Sequence, residues 1–245
     1  VVGALGSSNL GSYTSLGATD LASGASITTN SISFQSRNYV SPGNIKTLGV
    51  LNVSGNAALS TNSSGGTAPT MSFGGLTGTG NLSSDTDMTI GTSNTNGIYS
   101  GVLSGSMALS VKGTGVYEPK GTNTYTGGTV IDGGIIAAFN DRNWGALPSS
   151  LDSDNIILKN GGKAIFGSKN SSNTTGHTYW KANRGINLPT SGQQFIEMGS
   201  GGSGAAHIEG IVNGIGGITF TRSGSKAIRF FGENTYTGDT KFNFT

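Results

Sequence analysis

No cysteine occurs anywhere in the 245 residues. A thiol nucleophile, a disulfide framework and a cysteine zinc site are excluded by that alone. Histidine is nearly as scarce. His177 and His207 are the only two, and neither has another His or an Asp beside it in sequence, so zinc and triad chemistry find no ligand set. Charge is thin as well. Asp, Glu, Lys and Arg make up 11% of the chain, against about 25% in an average domain. The net charge is +2, with no Lys/Arg run, which argues against a nucleic-acid partner. Apolar residues reach only 33%, and no run approaches the roughly 18 residues of a membrane helix. The chain opens on Val1 without a signal-peptide pattern, so it reads as a processed or excised piece of a longer protein.

What fills the space is glycine, with serine, threonine and asparagine. Glycine accounts for 43 residues, more than twice the average share of about 7%. Disordered chains are also poor in apolar residues, but they are rich in charge and proline. Here proline numbers 5 and the apolar residues fall in short, regular runs. Ile27, Ile32 and Phe34 form one, and Leu48, Val50, Leu51 and Val53 another. Each run alternates over a few positions and stops at Gly, Asn or Ser, the mark of strand and turn. Residues 1–24 lack that alternation and carry five glycines, which predicts an irregular arm or cap. Residues 25–245 carry the strand pattern. It is interrupted once, at about 168–184, where Asn170, Asn173, His177, Tyr179, Trp180 and Lys181 predict a protruding loop.

The chain repeats itself. Gly121–Gly128 reads GTNTYTGG, and Gly232–Gly238 reads GENTYTG. Asn123, Tyr125 and Gly127 recur as Asn234, Tyr236 and Gly238 at an offset of 111 residues. At the same offset Gly105, Gly113 and Gly121 meet Gly216, Gly224 and Gly232, while Met107 and Leu109 meet Ile218 and Phe220. Self-similarity at a fixed period marks a solenoid. These six motif residues therefore read as structural, with Gly and Asn at corners that need a positive φ and the tyrosines packed beside them.

At these residues the chain resembles the autotransporter-associated β-strand repeat of bacterial autotransporter passengers. The family pattern of a Gly-rich turn, an apolar-Thr-Lys strand, Gly-x-Gly, a second strand and Gly-x-Asn-Thr-Tyr-Thr-Gly is matched from Gly105 to Gly128. Val130, Ile131, Gly133, Gly134 and the segment 143–147 continue the match. Asn160-Gly161-Gly162 and Arg184-Gly185-Ile186-Asn187-Leu188 are similar to it too. Glu118 and Pro119 depart from the family's Thr-Leu-Thr strand. The resemblance implies an all-β fold, a right-handed parallel β-helix or β-solenoid. Its parallel strands would stack at about 4.8 Å per coil. With solenoid repeats of about 20 residues and upward, the 111-residue period predicts about five coils and the chain about ten to twelve.

Enzymatic β-helices set the alternative. Polygalacturonases carry Asn-Thr-Asp, Asp-Asp and Gly-His-Gly segments, none of which occurs here, although acid–base cleavage needs such paired carboxylates. Asp85 with Asp87 and Asp152 with Asp154 are the only close acidic pairs. Residues i and i+2 of a strand share a face, so either pair has the placement for a weak calcium contact; a solvated face is the simpler reading. Tyr179, Trp180 and Lys181 form the one aromatic-basic cluster and the candidate binding residues, since function concentrates on loops above a rigid scaffold. Against that stands a Trp180 folded back over a coil, with Arg184 structural.

No catalytic residue, metal site or cofactor is expected. The resemblance implies a secreted or surface-exposed, non-enzymatic scaffold from a bacterium with an outer membrane. It would be an adhesin-type passenger or stalk meeting a host or neighbouring-cell ligand, with a membrane barrel elsewhere in the full-length protein. A second reading is a filament or sheath subunit that assembles with copies of itself through uncapped ends. A polysaccharide-cleaving enzyme is the third.

Overall fold

In the computed structural model, the described residues are 8–10, 27–29, 33–35, 48–53, 55–60, 70–167, 178–199, 205–222 and 227–244. The predicted arm falls outside these residues apart from the backbone of Ser8–Leu10, which pairs with Ile27–Thr29. Residues 168–177 of the predicted loop, with Asn170, Asn173 and His177, also lie outside them.

The described chain is all-β, with one 3-10 turn at Asp141–Trp144 and no α-helix among the described residues. The strand pairings are parallel throughout. Parallel neighbours that follow one another in sequence require the chain to travel round and return, and the result is a β-solenoid. Its coils present three faces. On the first, Met88, Leu109, Thr129, Ile156, Ile186 and Val212 stand in register. On the second, Tyr117, Ile136, Ala164, Ile196, Phe220 and Phe242 do so. The third is made of strands at one end, with Ala57, Leu82 and Leu103 aligned. It is made of strands again at the other, where Trp180, Ile208 and Phe230 align. Between them it carries the first NTYTGG segment and the 3-10 turn.

Alternation along each strand explains the core. Leu82–Ser84, Leu109–Val111 and Gln193–Met198 each bury every second residue, because successive side chains of a strand leave opposite faces. The inward set stacks coil on coil. Ile90, Val111, Ile131, Leu158 and Leu188 line the first face, and Phe73, Tyr99, Ile136, Phe166 and Phe220 the second, all buried. Each such side chain contributes about 1.5–3 kcal/mol by leaving water. Polar residues between them face out, which is how a chain of 33% apolar content still closes a core. Val116–Pro119 forms a strand despite Glu118 and Pro119; Pro119 lies past Tyr117, the last residue paired with the next coil, so no ladder bond is lost to its missing N–H.

Among the described residues, seven strands stack on the first face, from Met71 to Val212, fewer than the predicted ten to twelve coils, while the second face stacks eleven, from Ser8–Leu10 to Thr240–Phe244. Coil length varies along the chain. Hydrogen-bonded partners on adjacent coils lie 20 residues apart at Asn123 and Asn143, and 28 apart at Asp132 and Asn160. A register shift between Asp152 and Ile156 adds residues to one coil. The 111-residue period likewise does not make five coils. From Leu109 the first face climbs four coils to Val212, whereas Phe220, the repeat mate of Leu109, lies on the second face. The period is four coils and one further face. The two copies of the repeat thus occupy different corners of the solenoid.

Candidate functional site

The two NTYTG corners share one hydrogen-bond plan. Leu103 donates its backbone N–H to Asn123 Oδ1 at 2.9 Å, and Thr124 returns a backbone N–H to the Leu103 carbonyl at 2.8 Å. At the other corner Val212 donates to Asn234 Oδ1 at 2.9 Å and Thr235 returns to the Val212 carbonyl at 2.8 Å. The asparagine amide takes the place of a backbone carbonyl where the chain turns and cannot supply one. Gly127 and Gly238 then pass against the neighbouring coil. A Cβ on Gly127 would sit 2.5 Å from the Ala108 nitrogen, and one on Gly238 2.4 Å from the Gly217 nitrogen. Tyr125 and Tyr236 each meet the hydroxyl of a threonine four residues on, Thr129 and Thr240. The asparagines and glycines join coil to coil and the tyrosines brace each corner from within; the Tyr125 contact is buried and the Tyr236 contact exposed.

Asn143 extends the first corner by one coil. Asn123 donates Nδ2–H to the Asn143 carbonyl at 2.7 Å, and Asn143 donates Nδ2–H to the Gly121 carbonyl at 2.9 Å. Thr129 donates its hydroxyl to the Trp144 carbonyl at 3.2 Å, so the Tyr125 hydroxyl donates to Thr129 Oγ1. Burial pushes the Tyr125 phenol up to about 12; the Thr129 hydrogen bond and the Arg184 charge pull the other way.

The predicted cluster of Tyr179, Trp180 and Lys181 splits in two. Thr178–Trp180 is a strand rather than part of a loop, and strand alternation sends neighbouring side chains opposite ways. Trp180 points inward and is 0% exposed. Its ring lies 4.6 Å from Phe166 and 4.9 Å from Trp144, edge to face. It is therefore a core residue and offers no surface contact. Arg184 is also 0% exposed. It donates Nε–H to Asp141 Oδ1 at 3.0 Å and further N–H groups to Asp141 Oδ2, to the carbonyls of Trp144 and Gly145, and to the Asn155 side-chain oxygen. A buried guanidinium is tolerated only when its donors are occupied in this way. Asp141 Oδ1 also accepts the Lys181 backbone N–H at 3.0 Å. Trp180 and Arg184 are thus a foundation beneath Tyr179 and Lys181.

Above that foundation lies an array that sequence reasoning missed. In register, Tyr179 is followed by His207 and Arg229 on the next two coils. Glu209 donates its N–H to the Trp180 carbonyl and Phe231 donates to the Ile208 carbonyl, so a second column runs Lys181, Glu209, Phe231. Both columns lie on the side of the third face opposite the buried Trp180 and Ile208. The Tyr179 and His207 rings are 4.8 Å apart, and those of His207 and Phe231 5.3 Å. Lys181 Nζ sits 4.6 Å from the Tyr179 ring centroid and 3.7 Å from Glu209 Oε2. Phe231 is 60% exposed. The signal was the alternation shared by TYWK, AHIE and IRFF at 178–181, 206–209 and 228–231, visible only once the three segments are aligned by coil.

The acidic pairs are engaged locally. Asp87 accepts the Ala108 N–H at 2.8 Å, and Asp154 accepts Asn187 Nδ2–H at 3.0 Å. Among the described residues no three His, Asp or Glu converge as metal ligands. Partial burial pushes the Asp132 carboxyl up, but hydrogen bonds from Asn160 and Lys112 and the Lys112 and Lys159 charges together outweigh it and hold the group below the usual carboxylate range. It ties coils together on the outer first face. Comparison of the chain with family models, curated proteins and solved structures found no match.

Proposed function

We propose that this chain is a non-enzymatic extracellular scaffold, wound as a right-handed parallel β-helix and acting as an adhesin-type passenger or surface stalk. The repeat residues and their family resemblance favour secretion by the autotransporter route, with a membrane barrel elsewhere in the full-length protein. One observation carries the reading. The polar side chains that chemistry would need are committed to holding coils together: Asn123, Asn143, Asp141 and Arg184 inside, and Asp132 and Glu197 in ion pairs outside. Tyr179, Lys181, His207, Glu209, Arg229 and Phe231 stand outward on three stacked coils. A rigid body with recognition groups on its surface serves binding, not turnover.

The test is retention on surfaces. Beads coated with the chain should be held by cells or extracellular matrix more strongly than albumin-coated beads. The chain should also release no reducing sugar from acidic polysaccharide, with or without calcium. Beads that bind no better than albumin would overturn the scaffold reading, and sugar release would replace it with the enzyme.

A further inference from the structure

We infer that the outer array of Tyr179, His207, Phe231, Lys181, Glu209 and Arg229 binds an anionic polysaccharide, with successive sugar units lying against successive coils; this rests on the reading of the chain as a binding scaffold. Three observations converge. Ring centroids step 4.8 Å from Tyr179 to His207 within the first column and 5.3 Å from His207 to Phe231 diagonally into the second, each step one coil on, close to the length of one sugar unit in an extended glycan. Sugar rings present flat C–H faces that pack on aromatic side chains, and a row of rings at that spacing meets one unit after another. A globular protein partner would find no matching repeat.

The charges decide which glycan. Lys181 and Arg229 supply two cations and Glu209 one carboxylate, so the array is net positive. Lys181 lies between the Tyr179 ring and Glu209, which fixes its ammonium at the edge of the aromatic row. Arg229 is exposed, two coils away from Tyr179 in the same column. Its planar guanidinium suits a carboxylate or sulfate, which it can grip with two parallel N–H bonds. A neutral glycan would use the rings and leave the Arg229 guanidinium unmatched, Lys181 being paired with Glu209. The platform is also preorganised. Trp180 and Ile208 anchor two of its strands from below, and Asp141 holds the Lys181 backbone, so little ordering is required on binding.

Affinity electrophoresis of the whole chain tests this. The probes are polygalacturonate for carboxylates, chondroitin sulfate for sulfates and dextran as the neutral control. Retardation by either acidic probe, weakened by added salt and absent with dextran, is the expected result; the stronger probe identifies the acid group. Phe231→Ala and Arg229→Ala should each weaken binding about tenfold, the scale of losing one well-placed contact. Both residues are exposed, so an unchanged thermal midpoint keeps the result interpretable. Retardation equal in parent and variants, or equal with dextran, overturns the proposal. If neither acidic probe binds while coated beads still adhere to cells, the array is not the site and the scaffold reading stands; if beads fail as well, both fall.

Discussion

The corners at Asn123 and Asn234 have the same sequence and the same hydrogen bonds to the preceding coil, yet they differ in what covers them. Asn123 is 2% exposed and Tyr125 is buried with it. Asn234 is exposed and Tyr236 half-buried, because among the described residues no coil stacks on the far side. The two corners also lie on different edges of the solenoid. The geometry of this unit therefore depends on its own sequence and the coil beneath, and not on which face it turns between. What the covering coil adds is energy, through Asn143, Trp144 and Arg184.

The largest expected effect comes from removing that cover's anchor. Arg184→Ala strands Asp141 and several buried carbonyls, and should cost about 3–5 kcal/mol. The urea midpoint would move accordingly, and near-ultraviolet circular dichroism should lose the signal of the Trp144–Trp180 pair. A cost under about 1 kcal/mol would mean that the coil covers the first corner without its arginine. Next comes the asparagine itself. Asn123→Ala leaves a buried N–H and a buried carbonyl unpaired, for about 2–4 kcal/mol at roughly 1–3 each. Asn234→Ala leaves an N–H that water reaches, and about 1 kcal/mol is expected. Equal losses in urea unfolding would show that cover contributes nothing to the motif.

The same contrast explains what was readable. Asn123, Tyr125 and Gly127 announce a corner because corner chemistry is local and glycine tolerates the close approach at Gly127. Strands were readable for a similar reason, since alternation is written residue by residue. The length of each coil was not, because it varies between corners without changing any corner, and the extra residues at Asp152–Ile156 look like ordinary strand. The direction of Trp180 was also hidden. Tyr-Trp-Lys alternates either way in a strand, and only the register with 206–208 sends the indole inward. Arg184 finds its carboxylate 43 residues away at Asp141, a distance over which no spacing rule operates. His207, Arg229 and Phe231 join Tyr179 only through the same coil register.

A smaller effect isolates burial at the covered corner by pH. The Tyr125 phenol is raised by burial to about 12, after the opposing pull of Thr129 and Arg184; an unfolded tyrosine ionises near 10. Between those values the unfolded chain gives up this proton while the folded chain keeps it. Stability is therefore undiminished below about pH 10 and falls as pH rises through that window, by an amount on the order of 2 kcal/mol from this group. Tyr99 and Tyr117, also raised by burial, add to the same slope. Tyr125→Phe removes one of these protons and one hydrogen bond. Its unfolding free energy in urea should sit about 1 kcal/mol below the parent at pH 8, meet it near about pH 11 and lie above it by about pH 12. Parallel curves across that range would mean that Tyr125 ionises as readily folded as unfolded, and that the covering coil does not keep water from the corner.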